Sequence, residues 1–461
     1  MPCRVGIVVD SASDSCFAQV KIWITDCCSN HETCPPEPGL PLPTRVLDVG
    51  FADQKNIRLL PSKGLQKPWI ALSHCWGNSV PLVTTKDTIA TLEQGIAFSD
   101  LPLSFQDAVT ITRRLGHQYL WIDSLCIIQD SSEDWAHESG LMGYVYRNAF
   151  LTISASSSPS STHGIFRSAN QGRGRHMAKV RCQVPKAARG EEVYFRSIMY
   201  PNRSREFHLR DRAWVLQESL LSPRVLSYCS NQIFWSCRTA RISERDPTTL
   251  IGNDPSFNNR IDRYYQRLSN PFPSSEIKRV LFRKSPLIAS SNVCSVKIGI
   301  LSEGETSQLI DYWYAIVEQY VPRSLTYSTD RLPAISGIAK TVAAATSYTY
   351  IASLWREDLL RSLCWVVEKG RARRPRQYIA PSWSWASIEP GSGEFYMRFI
   401  EDFKEIQQAY ETEIIDIDVK SDSVDADPYL QVKSGILRVR GLCSSLDDID
   451  LNTEKNWTFI C

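Results

Sequence analysis

Apolar positions along this chain switch between strand-like runs and helix-like stripes, and the switches outline a core. Ile70-Ala71-Leu72-Ser73-His74-Cys75-Trp76-Gly77 begins as a short apolar strand and breaks at the glycine. Leu103-Ser104-Phe105-Gln106-Asp107 then opens a helix, with Ser104 placed to cap it, Asp107 three residues on and Gly116 to close it. Phe105, Ala108, Val109, Thr112 and Leu115 fall on one face. Tyr119 to Ile128 is nearly unbroken apolar sequence, the pattern of a strand buried on both faces. A second helix is expected over Ser132 to Asn148, followed by a strand from Phe150 to Ala155. This β-α-β-α-β order predicts an α/β core with a parallel sheet and a ligand crevice at the strands' carboxyl ends. His74-Cys75-Trp76, the run Asp123 to Asp130, and Ser154 to Ser158 would all reach that edge.

Around this core the pattern is looser. Residues 1–66 read as an N-terminal extension with short strand-like runs at Val46 to Val49 and Ile57 to Leu60. The core domain, 67–237, ends in a helical stretch at Arg212 to Glu218 and a hairpin of Val225 to Cys229 with Gln232 to Cys237. Residues 238–325 are polar and broken by Pro and Ser, and 326–461 read as a C-terminal α+β region with helices near Ile335 to Leu363 and late strands such as Ile436 to Arg440.

Composition narrows the classes. With 43% hydrophobic and 22% charged residues, the chain reads as an ordinary globular protein. Lys plus Arg total 52 against 50 for Asp plus Glu, a net charge of +2 that leaves no electrostatic footprint for nucleic acid or an anionic membrane. The basic run Lys369 to Arg376 has no interleaved aromatics and reads as a solvated loop. Met1 to Val9 is too short for a signal-peptide core and no stretch has membrane-span length, so a cytoplasmic location is expected, with the 14 cysteines reduced. The chain contains no Gly-x-Gly-x-x-Gly, P-loop, His-Glu-x-x-His or Gly-x-Ser-x-Gly, which removes ordinary dehydrogenases, NTPases, zinc proteases and serine hydrolases.

Several residues carry chemistry that apolar surroundings make conspicuous. Glu138 lies within the helical stripe Trp135, Met142, Val145 and Ala149, so its carboxylate must be paired, hydrogen-bonded or raised in pKa. An ion pair to Arg147 or Arg212 would satisfy it as well as a site role would. Asp123 interrupts an apolar run and either orients His74 or anchors a turn. His74 with Cys126 suggests a thiolate and its base, although Cys75 and Cys126 also suit core positions. Gln129 and Asp130 follow as polar contacts. Cys27, His31 and Cys34 follow Trp23 at helical spacing, but lack a fourth zinc ligand on spacing alone; Cys3, Cys16 and Cys28 are the nearby candidates, and no metal is assigned.

The blocks named above resemble the heterokaryon-incompatibility (HET) domain of filamentous fungi. The resemblance rests on Ala71 to Gly77, on Trp121 to Asp130 continued by Asp134, Trp135, Glu138, Met142, Val145 and Tyr146, and on Arg212 to Glu218. Asp330 to Gly337, Tyr350 to Trp355 and Ala380 to Ser387 resemble segments that accompany the domain. Two departures stand out: Ser353 where Gly is expected, and Ser158 to Thr162 where a more acidic turn is expected. The resemblance implies a role in non-self recognition and programmed cell death, with other fungal incompatibility or sensor proteins as partners. It also implies a core distantly similar to the TIR domain, hence a TIR-like or flavodoxin-like sheet. Some TIR domains cleave NAD, and Trp135-x-x-Glu138 is similar to the stretch bearing their catalytic glutamate. By that resemblance NAD is the substrate, no cofactor is assigned, and Glu138, His74 and Asp123 are the catalytic candidates. Ser73, Trp76, Gln129 and Asp130 are the ligand-binding ones. Two other readings remain open: a signalling module acting by self-association, and a Cys-dependent hydrolase or transferase of secondary metabolism.

Overall fold

The computed structural model describes residues 10–34, 39–51, 56–77, 82–168, 177–182, 191–196, 208–209, 211–230, 232–244, 301–393, 395–400, 413–421 and 427–440. The Met1 to Val9 run, Cys3 and most of the polar 238–325 region lie outside these. The chain forms two compact units: residues 1–135, 146–210 and 222–276 make the first, and 136–145, 211–221 and 277–461 the second.

The first unit is built on an eight-stranded mixed sheet. Its strands are β1 Arg45–Asp48, β2 Arg58–Pro61, β3 Trp69–Ser73, β4 Tyr119–Trp121, β5 Leu151–Ser154, and, after an antiparallel pair β6 Met177–Cys182 and β7 Glu191–Arg196 that stands outside the sheet, β8 Arg224–Tyr228, β9 Ile233–Cys237 and β10 Arg241–Ser243. The spatial order is β10-β9-β8-β5-β3-β4-β1-β2. The four central strands, β8, β5, β3 and β4, run parallel. Antiparallel strands flank them on both sides. The expected parallel sheet is therefore the centre of a larger mixed one, and β1 and β2 from the N-terminal segment form one of its edges. Every residue of β3, β4, β5 and β8 is buried, which explains why Tyr119 to Trp121 reads as continuous apolar sequence.

The helices of this unit are α1 Asp14–Asn30, α2 Ile89–Gln94, α3 Leu103–Arg114, the single turn α4 Asp123–Cys126, and α5 Ser132–Asn148, whose central residues 136–145 belong to the second unit. Two expectations need correction here. Ser104 does not cap α3: Pro102 holds the N-cap, and Ser104 is buried in the first turn with its hydroxyl toward the Ser160 carbonyl at 3.5 Å. The run Tyr119 to Ile128 is a strand only to Trp121. It then winds into α4, where Cys126 N–H donates to Ile122 O at 2.8 Å and the Asp123 carboxylate accepts from Ser124 N–H at 2.7 Å. A continuous apolar run reports burial, and a buried turn satisfies it as well as a strand does.

The second unit adds α6 Ala213–Leu221, α7 Glu303–Tyr320 and α8 Pro333–Thr346. The central part of α5 meets α8 where Gly143 faces Gly337; a Cβ on Gly337 would stand 2.6 Å from Gly143 Cα. The buried Gln217 side chain of α6 accepts the Gly337 N–H at 2.6 Å. Trp313, Trp355 and Trp385 are fully buried, with Trp313 edge-on to Trp355 and Tyr320 edge-on to Trp385. No helix among the described residues is long and apolar enough to cross a membrane.

Candidate functional site

The chain leaves β3 for β4 on one side of the sheet and then returns to β5 on the other. Numbered along the chain, the parallel strands lie in the order 2-1-3-4, so the strand order reverses between β3 and β5. Loops diverge at such a reversal and open a crevice at the strands' carboxyl ends. His74 stands at that end of β3, Asp123 two positions past β4, and Ser156 two positions past β5.

Three of the expected residues meet there. His74 Nδ1 lies 3.7 Å from Asp123 Oδ1, and Trp76 Nε1 donates to Asp123 Oδ2 at 3.0 Å. The His–Asp separation is an ion-pair distance, longer than a hydrogen bond. The His74 ring is buried and stands edge-on to Phe105 of α3, centroids 5.0 Å apart. Asp123, by contrast, is partly open, its side chain 22% exposed. The two roles weighed for Asp123 coexist: one oxygen holds the α4 turn and faces His74, while the other holds Trp76. A buried imidazole beside an accessible, hydrogen-bonded carboxylate can keep its orientation and receive or return a proton at the crevice. Ser73 is buried, and its hydroxyl makes no hydrogen bond among the described residues.

Gln129 and Asp130 hold backbone here. Gln129 Nε2 donates to the Asp123 and Ile127 carbonyls at 3.2 and 3.0 Å, and its own N–H donates to Thr84 O at 2.8 Å. Asp130 accepts the Lys86 N–H at 2.9 Å. Together they fasten the segment after Gly77 to the β4–α5 turn. Trp121 is a core residue, edge-on to Tyr146, whose hydroxyl donates to Leu72 O at 3.2 Å. Cys75 and Cys126 are buried too, as core positions require.

The loop after β5 closes over the β3 end. Ser161 Oγ donates to the Trp76 carbonyl at 3.4 Å, and Ser160 shares a hydrogen bond with His163 Nδ1 at 2.7 Å. Gly77 has φ of +82°, and any Cβ there would lie 2.2 Å from Ser160 Cβ, so only glycine fits. Asp107 anchors the loop by accepting the N–H groups of Ile165 and Phe166 at 2.6 and 3.1 Å. Burial pushes its carboxyl pKa up, against those N–H groups and the nearby Arg167 guanidinium, which pull it down. The capping role that sequence suggested for Asp107 is replaced by this one.

Glu138 is buried on α5, as the stripe required, and belongs to the second unit. The constellation assembled within the first unit is thus His74, Asp123 and Trp76. Sequence reading overlooked Arg45 and the role of Asp134: Arg45 Nη2 meets both carboxylate oxygens of Asp134 at 2.7 and 2.5 Å, and its Nε donates to Cys126 O at 2.8 Å. The same carboxylate accepts Ile128 N–H at 2.7 Å. An arginine in a β1 position that otherwise demands apolar side chains was the available signal.

No curated protein and no solved structure matched the chain. Residues 69–218, which carry β3 through β7 and every residue of this crevice, match the family model described as Heterokaryon incompatibility protein (HET).

Proposed function

We propose that the protein acts in heterokaryon incompatibility, as a non-self recognition and cell-death effector, and that the β3–β5 crevice is its working site. The observation that carries this reading is the coincidence of the HET match with a sheet reversal that gathers His74, Asp123 and Trp76. The 2-1-3-4 order of the parallel strands is the one doubly wound, flavodoxin-like sheets use for nucleotides, which supports a TIR-like core. NAD is then the substrate: water adds to the ribose carbon, nicotinamide leaves, and ADP-ribose and a proton are released. Trp76 would stack on a ring of the substrate, and the TIR resemblance makes Glu138 the residue to test for stabilising the developing positive charge on the ribose.

The test is NAD concentration over time with purified full-length protein at high concentration, wild type beside Glu138→Ala and His74→Ala. Wild type should release nicotinamide, and Glu138→Ala should lower the rate by about 10²–10³-fold, the usual loss for one transition-state charge partner. If wild type leaves NAD intact yet still kills cells on overexpression, cleavage is wrong and death proceeds by self-association.

A further inference from the structure

We propose that Cys27, His31, Cys34 and Cys237 form a structural zinc site that clamps α1 to the β9–β10 hairpin. Their four ligand atoms, three Sγ and one imidazole nitrogen, all lie within 4.8 Å of one another. His31 Nδ1 stands 3.4 Å from Cys237 Sγ and 3.9 Å from Cys34 Sγ. With Zn–S of about 2.3 Å and Zn–N of about 2.0 Å, a tetrahedral ion has ligand-to-ligand edges of about 3.5–3.8 Å. The cluster is therefore already near the size of a coordination shell.

Local structure explains how the ligands converge. Cys27 lies in the last turns of α1, and His31 follows four residues on, at the helix C-cap. The chain then turns back, Cys34 N–H donating to His31 O at 3.0 Å. Cys237 ends β9 at the tight turn into β10 and is 206 positions from His31. The helical spacing seen in sequence holds only to the helix end, and among the described residues the fourth ligand is Cys237 rather than the nearby Cys16 or Cys28; Cys3 lies outside them.

The surroundings are those of a metal site rather than a packed core. Metal-bound histidines commonly give their second nitrogen to a carboxylate, and His31 Nε2 faces Asp26 Oδ2 at 3.5 Å. Cys237 Sγ accepts the Ala240 N–H at 3.2 Å, and Thr239 Oγ1 lies 3.9 Å from Cys34 Sγ. Three thiolates on a divalent ion leave one negative charge, and the buried Arg238 guanidinium interacts electrostatically with all three cysteines. A disulfide would use two sulfurs and leave the third beside an imidazole with no reason to be there. Sulfur-rich tetrahedral donors select zinc, with iron as the alternative ion. Four protein ligands leave no open position, so the ion braces the fold and takes no part in chemistry.

Full-length protein, purified without metal-affinity resin, should contain about one zinc per chain by elemental mass spectrometry, the stoichiometry of a single four-ligand site. Cobalt exchanged into it should show thiolate charge-transfer and tetrahedral ligand-field bands. Cys237→Ser and His31→Ala should lose the metal, and Cys28→Ser, an exposed neighbour on α1, should retain it. Asp26→Asn should keep the stoichiometry but bind about 10–100-fold more weakly. If the ligand variants prove insoluble, the wild-type cobalt spectrum decides. Wild type free of metal that takes up neither zinc nor cobalt, with an unfolding temperature indifferent to chelator, would overturn the proposal. Stoichiometric metal retained in both ligand variants would do so equally.

Discussion

Two buried titratable residues in the folded chain should tune stability with pH in opposite directions. Asp330 is buried and accepts the Trp214 Nε1 proton at 3.0 Å; burial raises its pKa to about 6 against the pull of that hydrogen bond. The native state therefore holds a proton that the unfolded chain has lost, and Asp330 contributes stability at low pH that disappears as pH rises from about 4 through about 6. His117 is the converse. Burial, and then the charge of Arg224, lower its pKa to about 4, so the unfolded chain binds the extra proton and stability falls as pH drops from about 6.5 to about 4. Compared by urea denaturation across this range, Asp330→Asn should lose the first slope and His117→Phe the second. A wild-type slope in both variants would mean these environments are wrong. Neither shift was legible in sequence, because each arises from partners over a hundred positions away or from burial itself. Ser353 was legible as an anomaly: it sits at φ +75°, where glycine is expected, and its hydroxyl meets Ser384 at 2.8 Å.

At the level of elements, local pattern placed α5 more closely than it placed β4. The expected helix from Ser132 to Asn148 is found with those ends, and the buried stripe with Glu138 in it follows from its 3.6-residue period. The β4 run went astray because the turn at Asp123 is specified by its Trp76, Ser124 and His74 neighbours, which periodicity does not report. Glycines in helices carry a further message. Ala in place of Gly usually stabilises a helix by about 0.5–1 kcal/mol. At Gly337 the opposite is expected, since a Cβ would meet Gly143 Cα at 2.6 Å and Gln217 Oε1 at 2.8 Å. Gly337→Ala should destabilise by about 1–3 kcal/mol through overpacking, measured as a lower urea midpoint. Equal or greater stability would show that α5 and α8 do not approach so closely.

Across the whole molecule, the matched region is smaller than the structure that supports it. Residues 69–218 hold three of the four central strands, β3, β4 and β5, but not β1, β2, β8, β9 or β10. Expressed alone, that segment would strip β4 and β5 of one neighbour each and remove Arg45 from Asp134. It should aggregate or melt without a cooperative transition, because an exposed edge of a buried sheet is a template for wrong pairing. Cooperative unfolding with slow amide exchange in β3 would refute this. Sequence by itself determined the burial of the central strands, the course of α5 and the carboxylate in its buried stripe, since all of these depend on composition and short-range period. Tertiary structure alone decided the strand order, the antiparallel flanks, the pairing of Arg45 with Asp134, and the meeting of Cys237 with Cys27, His31 and Cys34. Those outcomes join positions tens to hundreds of residues apart, and no local pattern encodes which distant partner satisfies a buried charge, a strand edge or a sulfur.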